Sequence, residues 1–342
     1  MINVLLKKTN GTQMMNKTNI ITFIEARGHE AYRLVTAPIE KELNRRGYNT
    51  ETIYPAEGQD PSPDSIAIFT NYFWALYKLK EHYEIKIPVI YMTHGLSPWK
   101  YLNKGYQDCD FILLTTEFER GKIFPIKEGF PNNNHIFVTG WAKHDLLAEK
   151  IKNKNKIKQE VIKKLNLEKG KPIISYLPTF THRTKERIQG SALLFKEFNP
   201  KNIDNFIISI HGFDSTKDDI KSVIKKFNYK WTEQNKYNLM VASDIIIGDI
   251  SSIMVEALPL DIPLIHLVQR IDSLGLFEQE EYGSCMLGDV CQKPEELKTL
   301  IDKNLKNDHF KKERNKWKEK LIFNFGKATS TAVDKILEII KK

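Results

Sequence analysis

The stretch Val241-Ala-Ser-Asp-Ile-Ile-Ile-Gly-Asp-Ile-Ser-Ser-Ile-Met-Val-Glu-Ala-Leu258 reads as a strand, a tight turn and a helix in immediate succession. Ile245, Ile246 and Ile247 form a short continuous apolar run, the pattern of a strand buried on both faces of a parallel sheet. Gly248-Asp249 closes it. Ser251 or Ser252 then opens a helix, because a serine hydroxyl there accepts hydrogen bonds from backbone N–H groups that have no partner inside the helix. Two hydroxyls beside such N–H groups suit a pyrophosphate, which the helix dipole also favours. Glu256, about one turn deeper, is a carboxylate able to accept hydrogen bonds from ribose hydroxyls. The same residues fit an ordinary serine cap with Asp249 ending the strand.

Similar units recur on both sides. Apolar runs at Ile20 to Ile24, Ser65 to Phe69, Val89 to Met92, Phe111 to Thr115 and Ile136 to Thr139 occupy the first half of the chain. Runs at Ile173 to Leu177, Phe206 to Ile210, Asp244 to Ile247 and Leu264 to Leu267 occupy the second. Amphipathic stretches separate them, which predicts a mainly parallel α/β fold with two Rossmann-like domains facing a cleft. The lysine-rich segment 151–171 lies between the two sets and is assigned as a basic linker or helix. This leaves an N-terminal extension over 1–14, a first domain over 15–150 and a second over 172–342 that closes with a helix at Thr331 to Ile340. Ligands of such sheets bind beyond the carboxyl ends of the strands, so functional side chains belong there.

The 342 residues suit one large or two ordinary domains, and 41% hydrophobic with 11% aromatic residues exclude a mainly disordered chain. No apolar run approaches the roughly 20 residues of a membrane span, and the N-terminus lacks the pattern of a secretion signal, so a cytoplasmic protein is expected. Cys109, Cys285 and Cys291 have neither CxxC spacing nor an even count and read as buried small hydrophobes. The net charge of +9 is concentrated in residues 150–171, net +7, and 298–320, net +5, leaving the remainder at −3. That excludes a uniformly basic nucleic-acid binder. It leaves solvated helix faces, or attraction to an anionic membrane surface or polyanionic substrate. Patterns for P-loop, dinucleotide-binding, nucleophile-elbow and zinc-protease chemistry are absent. Asp108-Cys-Asp110 matches a metal-binding pattern of sugar transferases but runs straight into the strand at Phe111, and no metal or cofactor is expected.

Three further loops follow strands. Ser175-Tyr-Leu-Pro-Thr-Phe-Thr-His-Arg-Thr-Lys185 places Thr179 at a strand end, with His182, Arg183, Lys185 and Arg187 supplying positive charge suited to phosphate. Ile207-Ile-Ser-Ile-His-Gly-Phe213 closes a strand with His211. Pro88-Val-Ile-Tyr-Met-Thr-His-Gly-Leu-Ser-Pro-Trp-Lys100 does so with His94, an imidazole that can take a proton from an acceptor hydroxyl or sit as a hydrogen-bonded core histidine. His29, in Ile24-Glu-Ala-Arg-Gly-His-Glu30, is a second candidate in a turn after a strand. Arg27, His29 and Arg33 equally fit surface positions at a helix start.

In order and content these motifs resemble the CDP-glycerol glycerophosphotransferase family, the teichoic-acid primases and polymerases. His94-Gly95 matches the family's His-Gly, and Gly140-Trp-Ala-Lys-His-Asp145 its Gly-x-Pro-Arg-x-Asp, with Ala142-Lys143 in place of Pro-Arg. Leu177-Pro-Thr-Phe180 matches Ala-Pro-Thr-Trp, Ser243 to Ser252 matches Ser-Asp-x-x-x-x-Asp-x-Ser-Ser, and Gly326-Lys-Ala-Thr329 matches Gly-Lys-Ala-Ser. The resemblance implies a GT-B arrangement and transfer of glycerol phosphate or ribitol phosphate from a CDP-linked donor to an acceptor hydroxyl, releasing CMP. It implies His94 as the base, His211 as the group stabilising the leaving phosphate and Asp249 in the catalytic neighbourhood. Thr179, Ser251 and Ser252 become diphosphate ligands and Glu256 a ribose contact, with Lys143 and Arg183 as further donor contacts and His29 and Lys100 as acceptor contacts. The implied partners are the CDP-polyol and a polyol-phosphate or glycan acceptor, lipid-linked or free; the basic segments leave attraction to the anionic inner face of the cell membrane open, and the charge distribution predicts no nucleic-acid partner. Two other readings stand beside this one. A GT-B glycosyltransferase or sugar-nucleotide epimerase would use a UDP- or CMP-sugar at the same site. A non-catalytic protein would bind an anionic polymer or lipid through the basic segments, and charge reversal at Lys311, Lys312 and Arg314 would abolish that binding.

Overall fold

A computed structural model describes residues 19–25, 30–72, 84–96, 109–123, 135–179, 203–211, 236–249, 251–268 and 280–341, with short pieces inside 76–80, 182–189 and 214–231. The chain forms two compact units, one of residues 1–94, 102–145 and 323–342, the other of residues 95–101 and 146–322.

In the first unit, β1 (Ile20–Ile24), β2 (Asn49–Ile53), β3 (Ser65–Thr70), β4 (Val89–Met92), β5 (Phe111–Leu114) and β6 (Ile136–Val138) build one parallel sheet in the order β2-β1-β3-β4-β5-β6. All four residues of β4 are buried, as a strand covered on both faces requires. Helix α1 (Glu30–Arg45) returns the chain from β1 to β2 and buries Val35, Ile39 and Leu43, whose spacing of three to four residues makes one apolar face. Helix α2 (Glu117–Ile123) follows β5.

Helix α3 (Lys143–Lys152) carries the chain across the division into the second unit, where α4 (Lys154–Lys164) follows. Its sheet comprises β7 (Ile174–Tyr176), β10 (Phe206–Ile208), β11 (Lys230–Trp231), β12 (Ile245–Gly248), β13 (Leu264–Leu267) and β14 (Asp289–Cys291), all parallel, in the order β11-β10-β7-β12-β13-β14. A separate antiparallel pair, β8 (His182–Arg183) and β9 (Ile188–Gln189), follows β7. Helices α5 (Lys236–Ala242), α6 (Ile253–Glu256), α7 (Leu297–Lys306) and α8 (Lys311–Leu321) complete it, and α9 (Ala328–Ile340) packs on α1 of the first unit. Strand order reverses between β1 and β3 in the first sheet and between β7 and β12 in the second, and crevices at the carboxyl ends of such strands take ligands.

Three expectations change. Of the two readings of segment 151–171 the helix holds and the linker does not: Ile157 and Ile162 are buried, α4 packs on α5, and Lys158 pairs with Asp244 at 2.7 Å. The division falls at Asp145–Leu146, and the final helix belongs with the N-terminal unit, not with the second domain. Asp145 explains that return, since its two carboxylate oxygens accept the Ala328 and Thr329 N–H groups at 3.1 and 2.7 Å and so cap α9. Arg46 pairs with Asp334 across the α1 and α9 contact. Arg314, expected on an exposed basic face, is 2% exposed and bound to Asp308, because it lies on the side of α8 that faces its own unit.

Gly140 has φ +86°, and a Cβ there would stand 2.5 Å from the Phe323 carbonyl oxygen. Gly121, inside α2, has open space around the same position. Gly140→Ala should therefore cost about 2–3 kcal/mol in urea unfolding, whereas Gly121→Ala should be neutral or stabilising by up to about 1 kcal/mol.

Candidate active site

In the second unit the reversal point is built by two backbone N–H groups and one carboxylate. Register pairs Ile247 with Tyr176 and Gly248 with His266, so Asp249 is the first residue beyond the ladder. Its side chain, 2% exposed, accepts the Thr179 N–H at 3.0 Å through Oδ2 and the Ser251 N–H at 2.9 Å through Oδ1. One carboxylate thus ties the loop after β7 to the turn after β12. Gly248 is glycine for packing: a Cβ would fall 2.3 Å from the Met254 sulfur.

Ser251 and Ser252 are half-buried. The helix they introduce is a single turn. It passes into a 3₁₀ turn at Leu258–Leu260, where Pro259 supplies no N–H and Asp261 adopts φ +52°. The helix dipole expected from the sequence is therefore limited to one turn, and the polar character of the turn comes mainly from its own hydroxyls and N–H groups. Ser252 does not cap through its side chain. Its Oγ donates to Glu256 at 3.0 Å, and Tyr237 donates its hydroxyl to the other carboxylate oxygen at 2.9 Å. Glu256 is 3% exposed, so it braces Ser252 from beneath in this arrangement. Burial and then the Glu256 charge push the Tyr237 phenol well above its ordinary pKa, keeping it a hydrogen-bond donor.

At the amino end of the same strand, Asp244 accepts the Ile173 N–H at 2.8 Å and meets Lys158, while Ser243 and Ser175 share a 2.6 Å hydroxyl contact. The Ser-Asp and Asp-x-Ser-Ser halves of the motif therefore stand at opposite ends of β12. Their five-residue separation matches the rise of a strand, about 17 Å.

In the first unit His94 follows β4, half-buried, with Nδ1 3.3 Å from the Asn71 carbonyl oxygen and its ring edge-on to Tyr32 at 4.6 Å. Asn71, fully buried at the end of β3, donates its side-chain amide to the Tyr32 carbonyl at 2.8 Å. His94 is thereby held beside the reversal point of its sheet. Lys143 begins α3 and lies over the Trp141 ring at 4.9 Å. His211 follows β10, half-buried. Arg183 is placed in β8 by its backbone, and His29 and Lys100 lie outside the described residues. Asp110 accepts the Val89 N–H at 2.8 Å. Among the described residues no three His, Cys, Asp or Glu side chains are grouped to hold a metal, and no helix is long and apolar enough to cross a membrane.

Tyr237 and His266 escaped the sequence reading. His266, fully buried on β13, donates Nδ1–H to the Asp249 carbonyl at 2.9 Å. Burial lowers its pKa to about 4, opposed in part by that bond. Cys285 is also buried nearby, its thiol pushed up to about 12 by burial and then by the Asp249 charge.

Residues 83–341 match the model of the CDP-glycerol:poly(glycerophosphate) glycerophosphotransferase family. The chain belongs to this family. It is a transferase of the CDP-glycerol glycerophosphotransferase type, and the family match takes in the whole of the second sheet together with His94. Among solved structures, a variant of the wall teichoic acid polymerase TagF aligns with TM-score 0.66 at 17% identity, covering 95% of this chain and 89% of that one. The UDP-GlcNAc 2-epimerase of Neisseria meningitidis, bound to UDP-GlcNAc, aligns with TM-score 0.62 at 17% identity over 94% of this chain and all of the other. MnaA of S. aureus, in complex with UDP, gives 0.61 at 15% over 95% and 98%. These likenesses establish a shared GT-B type fold. A search of curated proteins finds no match.

His266 makes stability depend on pH in a definite direction. The transferase holds it neutral down to about pH 4, whereas the unfolded chain takes up a proton below about 6.5. The unfolded state binds more protons in that window, so lowering the pH through it destabilises the fold. Relative to His266→Asn, the wild type should lose about 2–3 kcal/mol of unfolding free energy between pH 7 and pH 4, read by urea unfolding.

Proposed function

We propose that the enzyme transfers a polyol phosphate, glycerol phosphate first among the candidates, from a CDP-linked donor to an acceptor hydroxyl in the synthesis of a cell-surface polymer of the teichoic-acid kind. The observation that carries this reading is the join of Thr179 and Ser251 through Asp249 at the reversal point of a Rossmann-type sheet, within the span matched by the family. That join supports placing the hydroxyls of Thr179, Ser251 and Ser252 together at the carboxyl edge of the sheet, where a diphosphate binds in such folds.

In the proposed reaction His94 removes the proton from the acceptor hydroxyl, and that oxygen attacks the β-phosphorus. The bond from phosphorus to the bridging oxygen breaks, and CMP departs with the electron pair. His211, Thr179, Ser251 and Ser252 stabilise the charge that moves onto the phosphate oxygens, which is the main demand of phosphoryl transfer. Lys143 and Arg183 supply further positive charge to the donor, Glu256 positions Ser252 or meets the ribose, and His29 and Lys100 contact the acceptor. Donor, acceptor and enzyme meet in the cytoplasm, with the exposed lysines of α8 offering attraction to the anionic inner face of the membrane.

Calorimetric titration with CDP-glycerol, CDP-ribitol, UDP-N-acetylglucosamine and a CMP-sugar tests the donor. A CDP-polyol should bind selectively, and the double substitution Ser251→Ala with Ser252→Ala should weaken it by at least about tenfold. Preference for a UDP- or CMP-sugar would move the chemistry to glycosyl transfer or epimerisation on the same fold. His94→Ala should reduce CMP release by about 10²- to 10⁴-fold while leaving donor affinity within a few-fold. A near-normal rate would remove His94 from the mechanism.

A further inference from the structure

We infer that His266 is a positioning residue for the donor-phosphate turn, acting through Asp249. The inference rests on the reading of Thr179, Ser251 and Ser252 as donor-phosphate ligands.

The ladder between β12 and β13 ends at the pair Gly248 and His266. Asp249, the next residue, has left the ladder, and the His266 side chain extends the grip of β13 one residue further by donating Nδ1–H to the Asp249 carbonyl. The carboxylate of that same residue holds the Thr179 and Ser251 N–H groups. Asp249 is therefore fixed at both ends, its carbonyl from β13 and its carboxylate by two loops. Fixing the carbonyl restrains the backbone at Asp249, from which the carboxylate leaves. Both Asp249 and His266 are almost wholly buried, so water is a poor substitute for either partner. A neutral imidazole carries one N–H, and this bond assigns it to Nδ1. His266 touches no donor atom in this scheme. It sets the spacing between the loop that carries Thr179 and the turn that carries Ser251 and Ser252, which a diphosphate spanning them would sense.

The variants His266→Leu and His266→Asn separate this role from simple filling of space. Leucine fills the site without a donor, whereas the asparagine amide nitrogen comes near the position of Nδ1. Amide hydrogen exchange by NMR reads the clamp without any ligand. In His266→Leu the Thr179 and Ser251 amides should exchange about tenfold faster or more, while the Leu177 amide, held at 2.8 Å by the Ile247 carbonyl, stays as in the wild type. His266→Asn should return both amides close to wild-type rates. In parallel, the KM for CDP-glycerol should rise about tenfold in His266→Leu and recover to within about threefold in His266→Asn, with the KM for the acceptor unchanged. Unchanged exchange at Thr179 and Ser251 in His266→Leu would overturn the inference. So would faster exchange that includes Leu177 and appears equally in both variants, since that marks general loosening. Should His266→Leu not fold, His266→Gln takes its place, because its amide nitrogen reaches past the Nδ1 position and should behave as the leucine does. If the wild type binds no CDP-polyol, the donor reading fails, and the exchange rates still decide whether His266 holds Asp249.

Discussion

The Asp249 carboxylate, accepting one N–H from each of two loops that leave neighbouring strands, is the interaction on which the second unit's site depends. In a parallel sheet every strand delivers its chain to the same edge. Where strand order reverses, between β7 and β12, the two departing loops diverge and leave backbone donors without ladder partners. A buried, unpaired N–H costs about 1–3 kcal/mol, so two of them need an acceptor that belongs to the fold. Asp249 is that acceptor, and its short reach forces Thr179 and Ser251 to lie close together. Glu256 and Tyr237 repeat the device one layer deeper, holding Ser252 by the same logic of a buried carboxylate with its donors supplied.

The opposite end of β12 explains why the motif includes a second aspartate, a strand's length from Asp249. Asp244 accepts a backbone N–H at the entry to β7 and meets Lys158 of α4, which anchors the strand where it enters the sheet. A strand pinned at its start and tied at its finish cannot slide in register, and a slip of one residue would turn Asp249 away from the crevice. The lysine-rich segment therefore contributes directly to the geometry of the site through α4, even though most of its charge is solvated.

Much of this was legible in the residues. The central strands announced themselves as continuous apolar runs, and the residues after them, His94, Thr179, His211 and the Ser251-Ser252 pair, follow from the rule that such sheets work at their carboxyl edge. The edge strands β2, β11 and β14 did not, because Asn-Thr-Glu-Thr-Ile, Lys-Trp and Asp-Val-Cys are too short or too polar to carry a period. Serine and glutamate at helical spacing gave the correct turn but overstated its helix, since Pro259 stops it after one turn. His266 sat inside an apolar strand, Leu-Ile-His-Leu, and read as filler; only the pairing of β13 with β12 brings its ring under Asp249. Asp145 and Asn324, which fasten the chain's last segment to the first turn of α3 and the end of β6, lie 183 and 185 residues from the groups they bind, beyond the reach of any local pattern.

The return of α9 to the first unit has a consequence for synthesis. The apolar side of α9 buries Ala328, Ala332, Val333, Ile336 and Ile339. Its partner α1 is made earlier, Arg46 just past the end of α1 preceding its partner Asp334 by 288 residues. A ribosome adding about 5–20 residues per second leaves α1 waiting tens of seconds for that cover. The second unit, continuous in sequence from 146 to 322 except for residues 95–101, can close while the first is still incomplete. The order of completion is thus the reverse of the order of translation, since the N-terminal unit waits for the chain's last helix.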